Sequence, residues 1–143
     1  MNINFANSNS DLARCFPIMV QLRPQLIQSE FIDKVKHQQQ SGYSLAYLEE
    51  SGAIKAVAGF RLVENLVDGR LLYVDDLITE ASERSKGYGS ALFDWLLEYA
   101  KSLNCVSFQL DSGVQRGEAH RFYFRKGMKI SSFHFKLSVH NCN

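Results

Sequence analysis

The chain has 143 residues, of which 45% are hydrophobic and 22% are charged, and its 16 basic and 15 acidic side chains leave a net charge of +1. A chain of this length buries enough apolar surface for one core, so we expect a single domain over residues 1–143. The balanced charge argues against a protein that binds nucleic acid or an anionic membrane through a global electrostatic field. We expect neither as a partner.

The N-terminus has no basic segment followed by an apolar run, and the apolar stretches are too short to cross a membrane. Cys15, Cys105 and Cys142 lack the CxxC spacing of a zinc site, which is typical of reduced thiols. The sequence therefore predicts a cytoplasmic protein in which no metal is expected.

The first third of the chain predicts a short strand and two helices. The strand covers about residues 2–5, and a helix follows it to about Leu22, in which Pro17 predicts a kink or a break. Pro24 ends this helix, and apolar residues along one side predict a second helix over about residues 25–40.

The pattern then changes to the alternation of strands. The segments YSLAYLEE, AIKAVAGFRLVE and RLLYVDDLIT predict an antiparallel meander with turns at Ser51-Gly52 and Asp68-Gly69. A long amphipathic helix, GSALFDWLLEYAKSLN, leads to the next strand, CVSFQLD. A strand, a helix and a strand in succession predict a parallel pair, so the expected sheet is mixed.

The C-terminal part predicts a short helix and a last strand. The helix runs from about Glu118 to Arg125 and ends at Gly127, where a left-handed C-cap is expected. The segment ISSFHFKLSV alternates strictly, with phenylalanine, leucine and valine on one face and serine, histidine and lysine on the other. This strand is able to pair across a dimer, so a monomer and a homodimer both stay open.

The segment RSKGYGS, residues 84–90, stands between the strand RLLYVDDLIT and the long helix. Free backbone N–H groups at the start of a helix converge on a phosphate, and the helix dipole favours its negative charge. Gly87 and Gly89 allow a close approach, while Arg84 and Lys86 add positive charge. An ordinary basic turn between a strand and a helix has the same composition, and the spacing is not that of a Walker loop.

Three segments together resemble the GCN5-related N-acetyltransferases, the GNAT family. RSKGYGS matches the family's R/QxxGxG/A signature, LYVDDLIT resembles its acetyl-CoA strand, and AHRFYFRKGM resembles its A..FY...GF helix. The likeness extends over about residues 43–135 in the family's order of elements. It implies an α/β, single-domain GNAT-like fold, with a central mixed, mostly antiparallel, twisted sheet flanked by about four helices.

The resemblance also implies how acetyl-CoA is bound. Main-chain groups of Leu77, Ile78 and Thr79 would pair with the pantetheine arm, and the Leu77 N–H would contact the thioester oxygen. Backbone amides of the loop would hold the pyrophosphate, and the residues of this loop are Arg84, Ser85, Lys86, Gly87, Tyr88, Gly89 and Ser90.

Proton transfer requires an acid and a base. Tyr123 matches the tyrosine that protonates the leaving thiolate in many family members, although a packed aromatic residue would give the same pattern. The same segment departs from the family at Arg116, where the family often has Asn.

The candidate bases are aspartates. Strand alternation puts Asp75 and Asp76 on opposite faces, so we expect one of them, preferably Asp75, to reach the cleft as the base. A β-bulge would exchange the faces. Asp111, after the next strand, is a further candidate.

The sequence thus predicts an acetyl-CoA-dependent N-acetyltransferase that transfers the acetyl group directly to an amine of a small molecule or a protein. The two N-terminal helices, including residues 23–31, would shape the acceptor site, to which Arg23 and Asp111 are assigned. The alternative is a CoA-binding sensor or interaction module on the same fold that has lost catalysis. The identity of the acceptor and the use of other acyl groups stay open.

Overall fold

The protein is represented by a computed structural model that describes residues 1–140, so Cys142 lies outside the described residues. The chain forms two compact units, Met1–Leu110 and a second that begins at Asp111. The expectation of one domain over residues 1–143 stays a prediction. The elements of the first unit are β1 (Asn2–Phe5), α1 (Asn9–Leu22), α2 (Gln28–Gln39), β2 (Tyr43–Glu50), β3 (Ala53–Asn65), β4 (Gly69–Thr79), a 3₁₀ turn (Ala81–Glu83), α3 (Tyr88–Ser102) and β5 (Ser107–Leu110), and the second unit contains α4 (Gly117–Arg125).

The strands form one five-stranded sheet in the order β1-β2-β3-β4-β5. Neighbours from β1 to β4 are antiparallel, whereas β4 and β5 are parallel and are connected through α3. The predicted meander and the predicted parallel pair are therefore confirmed, and the fold is α/β with a mixed, mostly antiparallel sheet.

Apolar side chains on the two faces of this sheet build two core layers. Helices α1 and α2 cover one face, where Leu12 and Phe31 pack with Leu45 and Val57. Helix α3 covers the other face, where its Leu92 and Leu96 belong to a layer of strand residues. That second layer includes Ala58, Phe60, Leu72 and Val74. Alternation along the strands supplies both layers, because successive side chains point to opposite faces.

Helix α1 continues through Pro17, so the predicted break is wrong, while the alternative of a kink stays a prediction. The helix begins at Ser8, whose hydroxyl accepts a 3.0 Å hydrogen bond from the Asp11 amide. Its residues Cys15 and Ile18, on either side of the proline, are buried in the core. Burial of this face outweighs the lost hydrogen bond and the steric cost of a proline inside a helix, which together reach about 3 kcal/mol.

The predicted last strand is also wrong, because residues 130–139 belong to no strand of the described chain. The apolar side chains of its alternating face, Phe133, Phe135, Leu137 and Val139, are 83%, 92%, 88% and 85% exposed. Alternation determines which residues of a segment share a face, whereas a strand also needs a neighbour for its backbone hydrogen bonds.

Replacement of Pro17 by alanine should stabilise the protein. The side chain at position 17 is exposed, so Pro17→Ala restores a backbone N–H at little cost in packing. We expect the free energy of unfolding in urea to rise by about 1–2 kcal/mol. Asp33→Ala, at an exposed position of α2, is the control and should change it by less than about 0.5 kcal/mol. An unchanged or lower value for Pro17→Ala would contradict this account of α1.

Candidate active site

A β-bulge at Asp75 interrupts the alternation of β4. Gly59 pairs with Asp76 and Phe60 pairs with Val74, so Asp75 is an extra residue between the two pairs. Val74 faces the layer under α3, whereas Asp75 and Asp76 both line a cavity on the side of α1 and α2. The prediction that the two carboxylates lie on opposite faces is therefore wrong, since the bulge brings both to one face.

The carboxylate of Asp76 is held on both oxygens. The Tyr43 hydroxyl donates a 2.8 Å hydrogen bond to Oδ2, and Arg23 Nε donates one of 2.9 Å to Oδ1. A side chain at Gly59 would be impossible here, because its Cβ would lie 1.8 Å from the Tyr43 hydroxyl oxygen. The glycine thus allows the tyrosine to cross β3 and reach Asp76.

The carboxylate of Asp75 has a different environment. Arg61 Nε donates a 2.9 Å hydrogen bond to Oδ2, while Oδ1 is buried and has no hydrogen-bond partner among residues 1–140. Arg23 Nη2 donates to the main-chain oxygen of Asp75 at 2.8 Å. Burial raises the pKa of Asp75 above its ordinary value, and the Arg61 guanidinium opposes that rise. Asp75 therefore has one oxygen that forms no hydrogen bond with the described residues.

The cavity beside these acids has a volume of about 400 Å³. Its wall combines apolar side chains with groups of both charges, and four residues between positions 23 and 31 contribute to it. It could hold a small organic molecule in contact with both carboxylates. The lining comprises the apolar Met19, Leu26, Phe31 and Val35, the tyrosines Tyr43 and Tyr73, the amides Gln25 and Gln38, and the charged Arg23, Lys34, Asp75 and Asp76.

The sheet opens beyond the bulge. Strands β4 and β5 pair only as far as Val74 and Leu110, whereas β4 continues to Thr79. Leu77, Ile78 and Thr79, the predicted acetyl-CoA strand, lie in this extension, where no strand of the described chain pairs with the β5 side of β4. An extended ligand can bind to such an edge as an added strand.

The loop after β4 presents the start of α3 without a side-chain cap. Gly87 is the N-cap, with φ of +88°, and the first turn contains no acidic residue. The amides of Tyr88, Gly89 and Ser90 precede the first intrahelical bond, which the Ala91 N–H donates to the Gly87 oxygen. These free donors and the positive end of the helix dipole fit a phosphate group.

The glycine at position 89 allows a second close approach. A Cβ on Gly89 would lie 2.7 Å from Thr79 Oγ1, so a side chain there would force Thr79 or the start of α3 to shift. Ser85, with φ of +68°, adds another left-handed residue to the loop, and Arg84 is exposed. The predicted loop residues thus form one compact turn at the end of β4.

The lysine of this loop is already paired with Glu83. Lys86 Nζ lies 2.7 Å from Glu83 Oε2, and Lys55 Nζ lies 2.9 Å from Oε1. The two lysines lower the pKa of Glu83 to about 2. Glu83 therefore stays ionised at neutral pH and competes with any phosphate for Lys86, a contact that the sequence pattern did not indicate.

Tyr123 and Asp111 belong to the second unit. Tyr123 lies on α4, where burial raises the pKa of its hydroxyl and Arg116 acts in the opposite direction. A phenol that stays protonated at neutral pH is suited to donate a proton. Asp111 is half-exposed, with its Oδ1 3.5 Å from His134 Nδ1. Of the predicted site residues, Asp75, Asp76 and Arg23 lie together around the cavity of the first unit.

Cys15 of the first unit is poorly suited to act as a nucleophile. Cys15 is fully buried, and burial raises the pKa of its thiol to about 12.

Within residues 1–140 no group of three or more histidine, cysteine, aspartate or glutamate side chains is arranged to hold a metal ion. Across the same residues, no helix combines the length and the apolar character needed to span a membrane.

Sequence reasoning missed the residues that position the two acids. Tyr43 and Arg61 are partners in the β2–β3 register and contact Asp76 and Asp75. Arg61 continues an apolar strand, and Gly59 stands inside the same strand, so both were visible as exceptions to the pattern. Only the register between strands connects these exceptions with the acids.

The sequence model of the Acetyltransferase (GNAT) family matches residues 9–128. The chain is 36% identical over 134 residues to the uncharacterized N-acetyltransferase YhdJ of Bacillus subtilis strain 168, which covers 92% of this chain and 94% of that protein. It is 34% identical over 66 residues to the aminoalkylphosphonate N-acetyltransferase of Salmonella typhimurium strain LT2, covering 46% of this chain and 43% of that protein. The crystal structure of glucosamine-6-phosphate N-acetyltransferase from Arabidopsis thaliana has a similar fold, with a TM-score of 0.75, 20% identity and coverage of 98% and 100%. The chain therefore belongs to the GNAT family of acetyltransferases, and it is an N-acetyltransferase.

Proposed function

We propose that this enzyme transfers the acetyl group of acetyl-CoA directly to the amine of a small acceptor, which binds in the cavity beside Asp75. The observation that carries the proposal is the bulge in β4. It directs two carboxylates into a cavity of about 400 Å³, next to the open edge of Leu77–Thr79. A base, an acceptor cavity and an edge for the acetyl donor are thus adjacent on one strand.

The open edge and the loop support a site for acetyl-CoA, which supplies the acetyl thioester when bound. The uncapped amides at the start of α3 would hold its pyrophosphate. Main-chain groups of Leu77, Ile78 and Thr79 would hold the pantetheine arm. The Leu77 N–H would donate to the carbonyl oxygen as negative charge develops on it during attack.

Asp75 is the proposed base. An ammonium must lose a proton before its nitrogen can attack a thioester, and Asp75 Oδ1 is an oxygen without a hydrogen-bond partner within residues 1–140. Both oxygens of Asp76 already accept hydrogen bonds, so Asp76 would instead position Arg23 and Tyr43 and attract the ammonium group. Tyr123 would then protonate the leaving thiolate, in keeping with the raised pKa of its hydroxyl.

The charges of the cavity favour an acceptor that carries an acidic group as well as its amine. Asp75 and Asp76 suit the ammonium, whereas Arg23 and Lys34 in the same wall suit an anion such as a phosphonate, phosphate or carboxylate. Aminoalkylphosphonate and glucosamine-6-phosphate, which appear in the names of two similar proteins, both combine an amine with such an anion. A protein amine is the second candidate acceptor.

The pairing of charges inside the cavity argues for catalysis rather than the sensor alternative, since binding CoA alone would need neither carboxylate. Release of CoA in the presence of an amine is the direct measurement. The cytoplasmic location and the use of acetyl rather than a longer acyl group stay part of the proposal.

A glutamate at position 87 should prevent CoA binding. Gly87 and Gly42 both have positive φ, +88° and +101°, and a Cβ added at either would meet no other part of the described chain within 4 Å. Gly87→Glu and Gly42→Glu should therefore lose similar stability, about 1–2 kcal/mol from the left-handed backbone. Only Gly87→Glu places a negative charge at the proposed pyrophosphate site. We expect acetyl-CoA to raise the melting temperature of Gly42→Glu but not that of Gly87→Glu, and a normal shift in both would remove the site from this loop.

Replacement of Asp75 and Asp76 by asparagine, one at a time, should distinguish the roles of the two carboxylates. The Asp75 carboxylate has to be ionised to accept a proton, so kcat/KM should rise with pH along a limb whose midpoint lies above the ordinary aspartate value of 3.8. Asp75→Asn should lower kcat about 100-fold and flatten this limb. Asp76→Asn should keep the rise of kcat/KM with pH, and it should lower the free energy of unfolding and raise KM. The same pH profile and full activity in Asp75→Asn would exclude it as the base.

Lys34 should contribute to acceptor selection. Lys34 lines the cavity, whereas Lys36 of the same helix is also exposed but does not. Lys34→Ala should raise KM about 10-fold for an amine that carries a phosphonate, because one charge-assisted hydrogen bond is lost. The KM of Lys34→Ala for a neutral amine of equal size should not change. Lys36→Ala should leave the KM values for both amines unchanged. Equal effects of Lys34→Ala on the two amines would contradict an anionic acceptor.

A further inference from the structure

The guanidinium of Arg61, on β3, is held by three other elements of the first unit. Its Nε donates a 2.9 Å hydrogen bond to Asp75 Oδ2 on β4, and its Nη2 donates one of 3.0 Å to Gln38 Oε1 on α2. Its central carbon lies 5.2 Å from the ring centroid of Tyr43 on β2, a distance at which a cation is attracted to an aromatic ring. These contacts hold the side chain in one orientation.

Arg61 contacts the wall of the acceptor cavity from behind. Asp75, Gln38 and Tyr43, the three residues that hold its guanidinium, all line the cavity. Arg61 itself is not one of the lining residues, and its side chain is 29% exposed. A molecule bound in the cavity would therefore contact Asp75 and not Arg61. Any effect of Arg61 on the reaction has to pass through the carboxylate.

The surroundings of Asp75 contain groups of both charges. Burial raises the pKa of Asp75, Arg61 lowers it, and the neighbouring charge of Asp76 raises it. Arg23 donates to the Asp76 carboxylate and to a main-chain oxygen, whereas Arg61 is bonded to the Asp75 carboxylate itself. The charged and titratable groups around Asp75, in these contacts and in the cavity wall, are Arg23 after α1, Lys34 of α2, Tyr43 of β2, Arg61 of β3, and Tyr73 and Asp76 of β4.

An acceptor in the cavity would bury Asp75 further. The Asp75 side chain is 25% exposed, and a bound molecule would displace water from this exposed part. Loss of water favours the protonated form of a carboxylate, and a protonated Asp75 could not take a proton from an ammonium. A fixed cation opposes this change, because an adjacent guanidinium lowers the pKa of a carboxyl group by about 1–3 units.

We propose that Arg61 is a positioning residue for Asp75, which keeps the carboxylate ionised and in one orientation at the wall of the acceptor cavity. The inference rests on the proposed role of Asp75 as the base. Arginine suits this task better than lysine, because its planar guanidinium can bind a carboxylate and an amide oxygen at the same time through fixed N–H groups. Tyr43 connects the two acids, since its ring contacts Arg61 and its hydroxyl donates to Asp76.

Titration of Asp75 by carbon-13 NMR tests the proposal on the whole protein without a substrate. In protein labelled at aspartate, the carboxyl signal of Asp75 is assigned by its absence in Asp75→Asn. Arg61→Gln should raise the pKa of Asp75 by about 1 unit or more, and Arg61→Lys should raise it less because the charge is kept. Arg70→Gln is the matched control and should leave this pKa unchanged. It removes the same charge near the start of β4, where Arg70 Nη1 donates to the Leu103 oxygen at 2.9 Å.

The pH dependence of kcat/KM separates this inference from the proposed function. With acetyl-CoA and aminoethylphosphonate as substrates, the rising limb should move to higher pH in Arg61→Gln by the same amount as the pKa of Asp75. A loss of stability alone would lower activity without moving the limb. A raised pKa of Asp75 with an unmoved limb would support the inference and exclude Asp75 as the base.

The inference is overturned by an unchanged pKa of Asp75 in Arg61→Gln, a result that leaves the role of Asp75 as the base intact. An equal rise of this pKa in the Arg70→Gln control would overturn it as well, because the effect would then come from net charge. Circular dichroism shows whether each variant folds. If Arg61→Gln does not fold, Arg61→Lys decides: a raised pKa of Asp75 supports the inference, and an unchanged one contradicts it.

Discussion

The β-bulge at Asp75 determines which side chains reach the cavity under α1 and α2. Without it, strict alternation would send one of the two adjacent carboxylates into the apolar layer under α3. The bulge is compatible with the fold because Gly59 stands opposite Asp76 and leaves room for the Tyr43 hydroxyl. The hydrogen bonds of Arg23 and Arg61 then complete the arrangement, so a local change of one residue in β4 shapes the whole site.

Two adjacent carboxylates acquire different properties because their partners differ. Asp76 accepts hydrogen bonds on both oxygens, which holds its orientation. Asp75 shares one oxygen with Arg61 and keeps the other without a partner in the described part of the chain, and burial raises its pKa. Unequal environments of this kind give chemically identical side chains different properties, which supports the proposed assignment of Asp75 as the base.

The short length of β5 leaves one side of β4 open at its end among the described residues. Because β5 ends at Leu110, the last residues of β4 have no strand of the described chain beside them on that side, which suits an extended ligand.

The sequence by itself determined the meander, α3, the loop of residues 84–90 and the family, because periodicity, capping and glycine spacing are local properties of the chain. Only the tertiary structure decided the face of Asp76, the continuity of α1 through Pro17 and the absence of a strand over residues 130–139 within the described chain. Each of these depends on partners distant in the chain: the register of β3 against β4, the burial of α1 on the sheet, and the strand that a segment needs before its alternation becomes a β-strand.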